Sequence, residues 1–341
     1  MIRVAAPMIA ASSTDMLLEV SDLRVRYPAF GPIRAKLLGL PNRFLDAVID
    51  VSFRVRRGTT LALVGESGSG KSSLGRALVG LTPMASGRVL FDGSEPLARN
   101  PRGDKNYHRD VAMMFQDPVS CLSPRRTVEA LITEPFVVHG ARGRELKAEA
   151  RRLLGLVGLP KDFASRYPHQ LSGGQARRVG VARAVALSPK LIVADEPTAG
   201  LDVSVQGEIL NLLVRLQREL GLTYLIITHN LAIVRHVSDE TAIMYMGRFV
   251  EQGRTAAIFA NPSHPYTAAL IASQPQPDPD LRREEIPLIG EVPSLSNRPS
   301  GCEFHTRCRY AQEKCRSVRP ADTRTQGHLF RCHYPLAEPG N

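Results

Sequence analysis

The chain begins its ordered pattern with alternation. Residues 17–27 (LLEVSDLRVRY) and 48–55 (VIDVSFRV) alternate apolar and polar side chains, the period of a strand with one covered face. Residues 60–64 are an unbroken buried-strand run, and 87–92 (GRVLFD) form another strand closed by Gly93. The first ninety residues therefore predict an antiparallel β layer that leads into an α/β core. Residues 28–41, punctuated by Gly and Pro, read as a loop.

The period then changes. Residues 73–81 carry Leu74, Leu78, Val79 and Leu81 at helical spacing, and 109–115 form a strand candidate ending at Gln116. From 123 to 187 the pattern is helical. Within it, 145–157 places Leu146, Leu153, Leu154 and Val157 on one stripe. The short apolar runs 191–194 and 224–227 suit parallel strands covered on both faces, and an amphipathic helix at 205–220 joins them. Residues 241–250, around Met246-Gly247-Arg248, read as a hairpin. After Asn261-Pro262 the composition shifts to proline-punctuated sequence (275–279 and 287–299), and four of the five cysteines lie beyond residue 300.

Length and composition narrow the classes. At 341 residues, two domains are expected, and 43% hydrophobic residues supply a sizeable core. No run approaches the ~18–20 apolar residues of a membrane span. Residues 1–16 read as a disordered leader, with Met16 an alternative start. The net charge of +11 is carried mainly by arginine without a dense basic block interleaved with aromatics, so no nucleic-acid partner is expected.

Candidate chemistry starts at Gly65-Glu66-Ser67-Gly68-Ser69-Gly70-Lys71-Ser72. This string fits the phosphate-binding loop G-x-x-x-x-G-K-[ST], between a strand and a helix as the motif requires. Backbone N–H groups of Gly65 and of 67–73, from Ser67 and Ser69 to Ser73, would face phosphate oxygens, backed by the positive end of the helix. Lys71 can reach the β- and γ-phosphates, and the Ser72 hydroxyl is placed to ligate Mg²⁺. Downstream, the strand at 191–194 ends in Asp195-Glu196: one carboxylate for the metal shell, one to activate a water. Ser172 can cap a helix that begins at Gln175, behind Gly173-Gly174.

The string Leu171-Ser172-Gly173-Gly174-Gln175 resembles the signature of ATP-binding-cassette (ABC) ATPases. The rest of that family's pattern follows in order: Gln116 in MFQDP, Asp195-Glu196, Leu201-Asp202 and Thr228-His229. The resemblance implies a P-loop NTPase cassette with a RecA-like parallel core, an antiparallel β subdomain and a helical subdomain at about 120–187. It implies Glu196 as catalytic base, and Gln116 and His229 at the attacking water and γ-phosphate. It places Ser72, Gln116 and Asp195 around Mg²⁺ and Tyr27, with Phe44 as competitor, against adenine. Ser172, Gly173, Gly174 and Gln175, beside the D-loop residue Asp202, would act in trans on a partner cassette's ATP.

The tail is similar to that of oligopeptide and dipeptide importer ATPases, in Asn261-Pro262-Ser263-His264-Pro265-Tyr266-Thr267, Gly290-Glu291-Val292-Pro293-Ser294 and Arg307-Cys308. The insertion after Tyr27 resembles the F-type subunit. This implies residues 17–261 as the ATPase domain and 262–341 as a small cysteine-containing C-terminal domain. It also implies a sister ATPase forming a heterodimer, two permeases, an external peptide-binding protein, and work at the cytoplasmic face of the membrane. Relatives carrying nickel, glutathione or antimicrobial peptides are the alternatives. ABC ATPases of DNA repair or translation are disfavoured by the single cassette and the lack of a heptad coiled coil. Cys302, Cys308, Cys315 and Cys332, spaced C-x5-C-x6-C-x16-C, admit disulfides, zinc or a cluster. The same resemblance implies a [4Fe-4S] cluster there, with Cys121 outside it.

Overall fold

A computed structural model describes residues 15–29, 44–99, 104–117, 120–143, 145–274, 288, 290–325 and 328–336. Residues 1–14 of the expected leader, most of the loop at 28–41 and the segment at 275–279 lie outside the described residues, while Met16 already belongs to the first strand.

The alternating N-terminal segments become β1 (Met16–Pro28) and β2 (Phe44–Arg56). With β4 (Ser86–Phe91) they form an antiparallel three-stranded sheet in the order β2-β1-β4. Between them in sequence stand β3 (Thr60–Val64) and α1 (Lys71–Leu78). Two short helices, α2 (Pro96–Arg99) and α3 (Lys105–Asp110), precede β5 (Val111–Met114). The region expected to be helical resolves into α4 (Val128–Val138), α5 (Glu145–Leu156) and α6 (Gly173–Val185), with two short 3₁₀ segments between α5 and α6. There follow β6 (Leu191–Asp195), α7 (Val203–Leu220), β7 (Thr223–Thr228), α8 (Leu231–Val237), β8 (Glu240–Tyr245) and β9 (Arg248–Arg254). The tail holds α9 (Thr255–Ala260), α10 (Pro265–Ala272), α11 (Glu313–Ser317), β10 (Thr323–Thr325) and β11 (His328–Phe330).

The second sheet has the order β10-β11-β9-β8-β3-β7-β6-β5. Its pairs from β5 to β8 are parallel, and β9 and β11 continue it antiparallel. The parallel strands are buried on both faces, which is why they read as continuous apolar runs. In β6, Leu191 and Val193 join the apolar cluster beneath the small sheet and α1, while Ile192 and Ala194 join the cluster under the helices. Leu225 and Ile227 in β7 split from Tyr224 and Ile226 in the same way.

The tail is built into this sheet. Leu329 and Phe330 pair with Gln252 and Glu251, and Phe304 packs on the rings of Tyr245 and Tyr266, both at 5.3 Å between centroids. The Glu251 carboxylate is fully buried. It accepts hydrogen bonds from the backbone N–H groups of Ser263 (2.7 Å) and His264 (3.0 Å), and His328 Nε2 lies 2.7 Å away. Buried charge tolerates such a place only when its oxygens are satisfied in this way. Residues on either side of 261–262 thus share one sheet and one apolar cluster.

Candidate active site

Three parallel strands deliver the chemistry at their carboxyl ends, where an open parallel sheet binds ligands. β3 runs into the phosphate loop, β6 ends at Asp195, and β7 ends at Thr228, one residue before His229. Two of the loop's glycines, Gly65 and Gly70, are forced by crowding. A Cβ on Gly65 would stand 2.2 Å from the Met244 carbonyl oxygen. Gly70, with φ 106°, would place one 2.3 Å from the Ala47 carbonyl oxygen. Gly70 then caps α1 in the left-handed region that favours glycine.

Lys71 is buried, and its ammonium donates to the carbonyl oxygens of Gly65 (2.7 Å) and Glu66 (2.9 Å) and to Ser69 Oγ (3.3 Å). Burial lowers its pKa, partly offset by Glu196, Asp195 and Glu66. Ser72 Oγ donates to Asp195 Oδ1 at 3.0 Å. Asp195 is buried, and desolvation raises its pKa against the opposing pull of Ser72 and Arg76. A hydroxyl and a carboxylate in contact form the oxygen pair that a hard divalent cation takes, with phosphates and water completing an octahedron. The donor set therefore fits Mg²⁺.

Glu196 carries the left-handed backbone angle φ 45°, and its N–H donates to the Ile227 carbonyl oxygen at 2.8 Å. A non-glycine residue in that region is a strained position of the kind found at functional sites. Its carboxylate is held from two sides: Gln116 Nε2 donates to Oε2 at 3.2 Å, and His229 Nδ1 lies 2.9 Å from Oε1. Three residues far apart in sequence thus meet.

Ser172 caps α6 by accepting from Gln175 N (3.3 Å), and Gln175 Oε1 accepts from Ser172 N (3.0 Å), a reciprocal capping box. Asp202 caps α7 by accepting from Val205 N at 2.9 Å. The two helix starts adjoin: a Cβ on Gly174 would meet Val205 Cγ1 at 2.8 Å. Arg177, which the sequence reading missed, ties them to the Gln116 segment. Its buried guanidinium donates to the carbonyl oxygens of Phe115 (3.0 Å), Gln116 (2.8 Å) and Ala199 (3.1 Å). Nothing in sequence separates this arginine from its many neighbours. Tyr27 is half-buried against the apolar cluster, whereas Phe44, one rung further along the β1–β2 ladder, is 57% exposed.

Cys302, Cys308, Cys315 and Cys332 line one small pocket with His264 and His305, and none is in a disulfide. Burial pushes Cys302 up to about 12 and Cys332 up to about 11, and raises Cys308. Among the described residues, however, no group of three or more His, Cys, Asp or Glu side chains is gathered closely enough to hold a metal ion. The expected cluster or zinc site is thus present as four thiols around one pocket, not as a converged ligand set. His305 and His333 are also engaged, with the Cys302 and Val318 carbonyl oxygens at 2.9 and 2.8 Å. Cys121 lies elsewhere, in the groove beside α6.

A parallel core with a phosphate loop, a strand-end Asp-Glu pair and a capped glycine signature defines an ABC-type ATPase. Residues 48–199 match the ABC transporter family, and residues 250–315 match the oligopeptide/dipeptide transporter C-terminal region. The chain is 47% identical to a probable peptide ABC transporter ATP-binding protein of Sinorhizobium fredii, over 94% of this chain and 90% of that protein. It is 42% identical to the oligopeptide transport ATP-binding protein OppF of Escherichia coli, over 93% and 96%. With the dipeptide transport ATP-binding protein DppF of the same organism the identity is 41%, over 94% and 95%. Among solved structures, a dimeric ATP-binding cassette bound to ADP and Pi superimposes with a TM-score of 0.60 at 26% identity, covering 70% of this chain and 99% of that one. The chain belongs to the oligopeptide/dipeptide family of ABC transporter ATP-binding subunits, and it is the ATPase subunit of a peptide importer. No helix among the described residues is long and apolar enough to cross a membrane.

Proposed function

We propose that ATP binds on the loop at 65–73 and that Glu196 removes a proton from the water attacking its γ-phosphate. The observation that carries this reading is the pair of contacts fixing the Glu196 carboxylate, Gln116 on one oxygen and His229 on the other. A general base must be oriented before it is useful, and these two side chains do that. Lys71 and the loop N–H groups hold the phosphates. Ser72 and Asp195, with Gln116 alongside, would hold Mg²⁺, which would supply charge neutralisation at the phosphates. The Tyr27–Phe44 end of the small sheet receives adenine, with the exposed Phe44 ring the freer face. Ser172, Gly173, Gly174 and Gln175, with Asp202, close the partner cassette's nucleotide site.

The working unit in this reading is a heterodimer with a sister ATPase on the cytoplasmic face of the membrane, docked on two permeases fed by an external peptide-binding protein. The test compares ATP turnover by this chain alone with turnover after assembly with those subunits. Alone, each phosphate loop lacks the opposing signature helix, and the association cost is met at assay concentration. Turnover is expected to rise at least tenfold on assembly. Full turnover by a strictly monomeric preparation overturns the composite site.

The residues from 262 onward act, in the same proposal, as a C-terminal lobe whose four thiols take a [4Fe-4S] cluster. What supports this reading is that the four thiols line one pocket and none is in a disulfide. Anaerobic purification is expected to give about four irons per chain and a brown protein whose colour is lost in Cys308→Ser. Stoichiometric zinc in a colourless protein defeats the iron assignment.

A further inference from the structure

The phosphate loop contains a carboxylate. Glu66 is its second residue, close enough to Lys71 to act on its charge. An uncompensated anion here opposes a triphosphate, so something must cancel it. Arg307, 241 positions later and next to Cys308, does so: Nη1 lies 2.6 Å from Glu66 Oε2 and Nη2 3.1 Å from Oε1, a bidentate pair. Its side chain is buried, and the Glu66 hydrogen bond is the main reason its pKa is raised. The backbone is clamped beside it. Glu66 N–H donates to Tyr266 Oη at 3.0 Å, and Gly247 N–H donates to the Ser69 carbonyl oxygen at 2.8 Å. The loop is thus gripped by residues from the β8–β9 turn onward, none of which belongs to a nucleotide motif.

We propose that Arg307 is a positioning residue for the nucleotide site: it neutralises Glu66 and holds that carboxylate turned away from the bound phosphates. The same side chain links the phosphate loop to the cysteine pocket, because Cys308 follows it and Phe304 packs on Tyr245 and Tyr266. The inference rests on the loop at 65–73 being the ATP site, and wild-type ATP binding tests that separately.

The experiment measures equilibrium binding of a fluorescent ATP analogue to the full-length chain and three variants. Unit charges about 10 Å apart, at the dielectric of a protein surface, change an affinity by about tenfold. Arg307→Ala is expected to weaken binding by about that factor. Glu66→Gln, at a partly exposed loop position, is expected to tighten it a few-fold, since it removes a negative charge beside the bound phosphates. The double variant is expected to return within about threefold of wild type. A purely structural Arg307 would not give that rescue. Wild-type affinity in Arg307→Ala overturns the proposal, as does weakened binding in Glu66→Gln or a double variant as weak as Arg307→Ala. If Arg307→Ala does not fold, Glu66→Gln decides the matter alone by the direction of its change. If the wild-type chain fails to bind ATP, the site reading fails first.

Discussion

Glu196→Gln is expected to abolish turnover while leaving ATP bound. The substitution is isosteric, so the space between Gln116 and His229 stays filled and the phosphate loop is untouched. What disappears is the acceptor for the proton of the attacking water, a contribution of about 10²- to 10⁴-fold in rate for general bases. An interaction made only in the transition state lowers kcat without weakening ground-state binding. ATP affinity should therefore stay within about twofold of wild type. The comparison is made on the assembled complex, by phosphate release beside equilibrium nucleotide binding. Near-normal turnover would show that another group takes the proton. A parallel loss of ATP affinity would show that the carboxylate mainly shapes the loop.

Much of the scaffold beneath the candidate site was readable from sequence because its patterns are local. The run at 60–64 is β3, residue for residue, and the strand expected at 191–194 is β6 with Asp195 added. Both lie in the middle of a covered sheet, where apolar continuity and short length leave little ambiguity. The hairpin expected at 241–250 is β8 and β9, turning at Met246-Gly247. Boundaries fared less well. The helix expected at 73–81 runs from Lys71 to Leu78, because Gly70 caps its start and the chain turns at Gly80. The strand expected at 109–115 shrinks to Val111–Met114, since Asp104 caps a short helix directly before it.

Contacts closed by sequence separation were not readable. Arg177 and Arg307 look like two more solvated arginines in an arginine-rich chain. Only folding brings one to the backbone of Gln116 and the other to Glu66. The tail's strands were hidden for a related reason. β10 and β11 have three residues each, too short to show a period, and they exist because β9 offers an open edge. The cysteine spacing pointed to a shared site, and the four thiols do share a pocket. Spacing says which thiols can meet, whereas a converged ligand set rarely forms before a metal binds.

Lys71→Ala is expected to have the opposite signature to Glu196→Gln: binding fails, and turnover fails with it. The ammonium is held in place before any nucleotide arrives, by the Gly65 and Glu66 carbonyl oxygens and Ser69 Oγ. Those bonds fix the charge at the mouth of the loop, so little ordering is left for the binding step. A charge-assisted hydrogen bond contributes about 1.5–3 kcal/mol, and a phosphate-facing lysine makes at least one, so affinity for ATP should fall about 10- to 100-fold. The fold should survive, because burial already disfavours the ammonium, as its lowered pKa shows. Arg307 and Glu66 remain paired in this variant, so the loss reports Lys71 alone. Nucleotide titration and thermal unfolding of the same preparation decide it. ATP affinity at the wild-type level would remove Lys71 from the binding site, and a large fall in melting temperature without nucleotide would make its role structural.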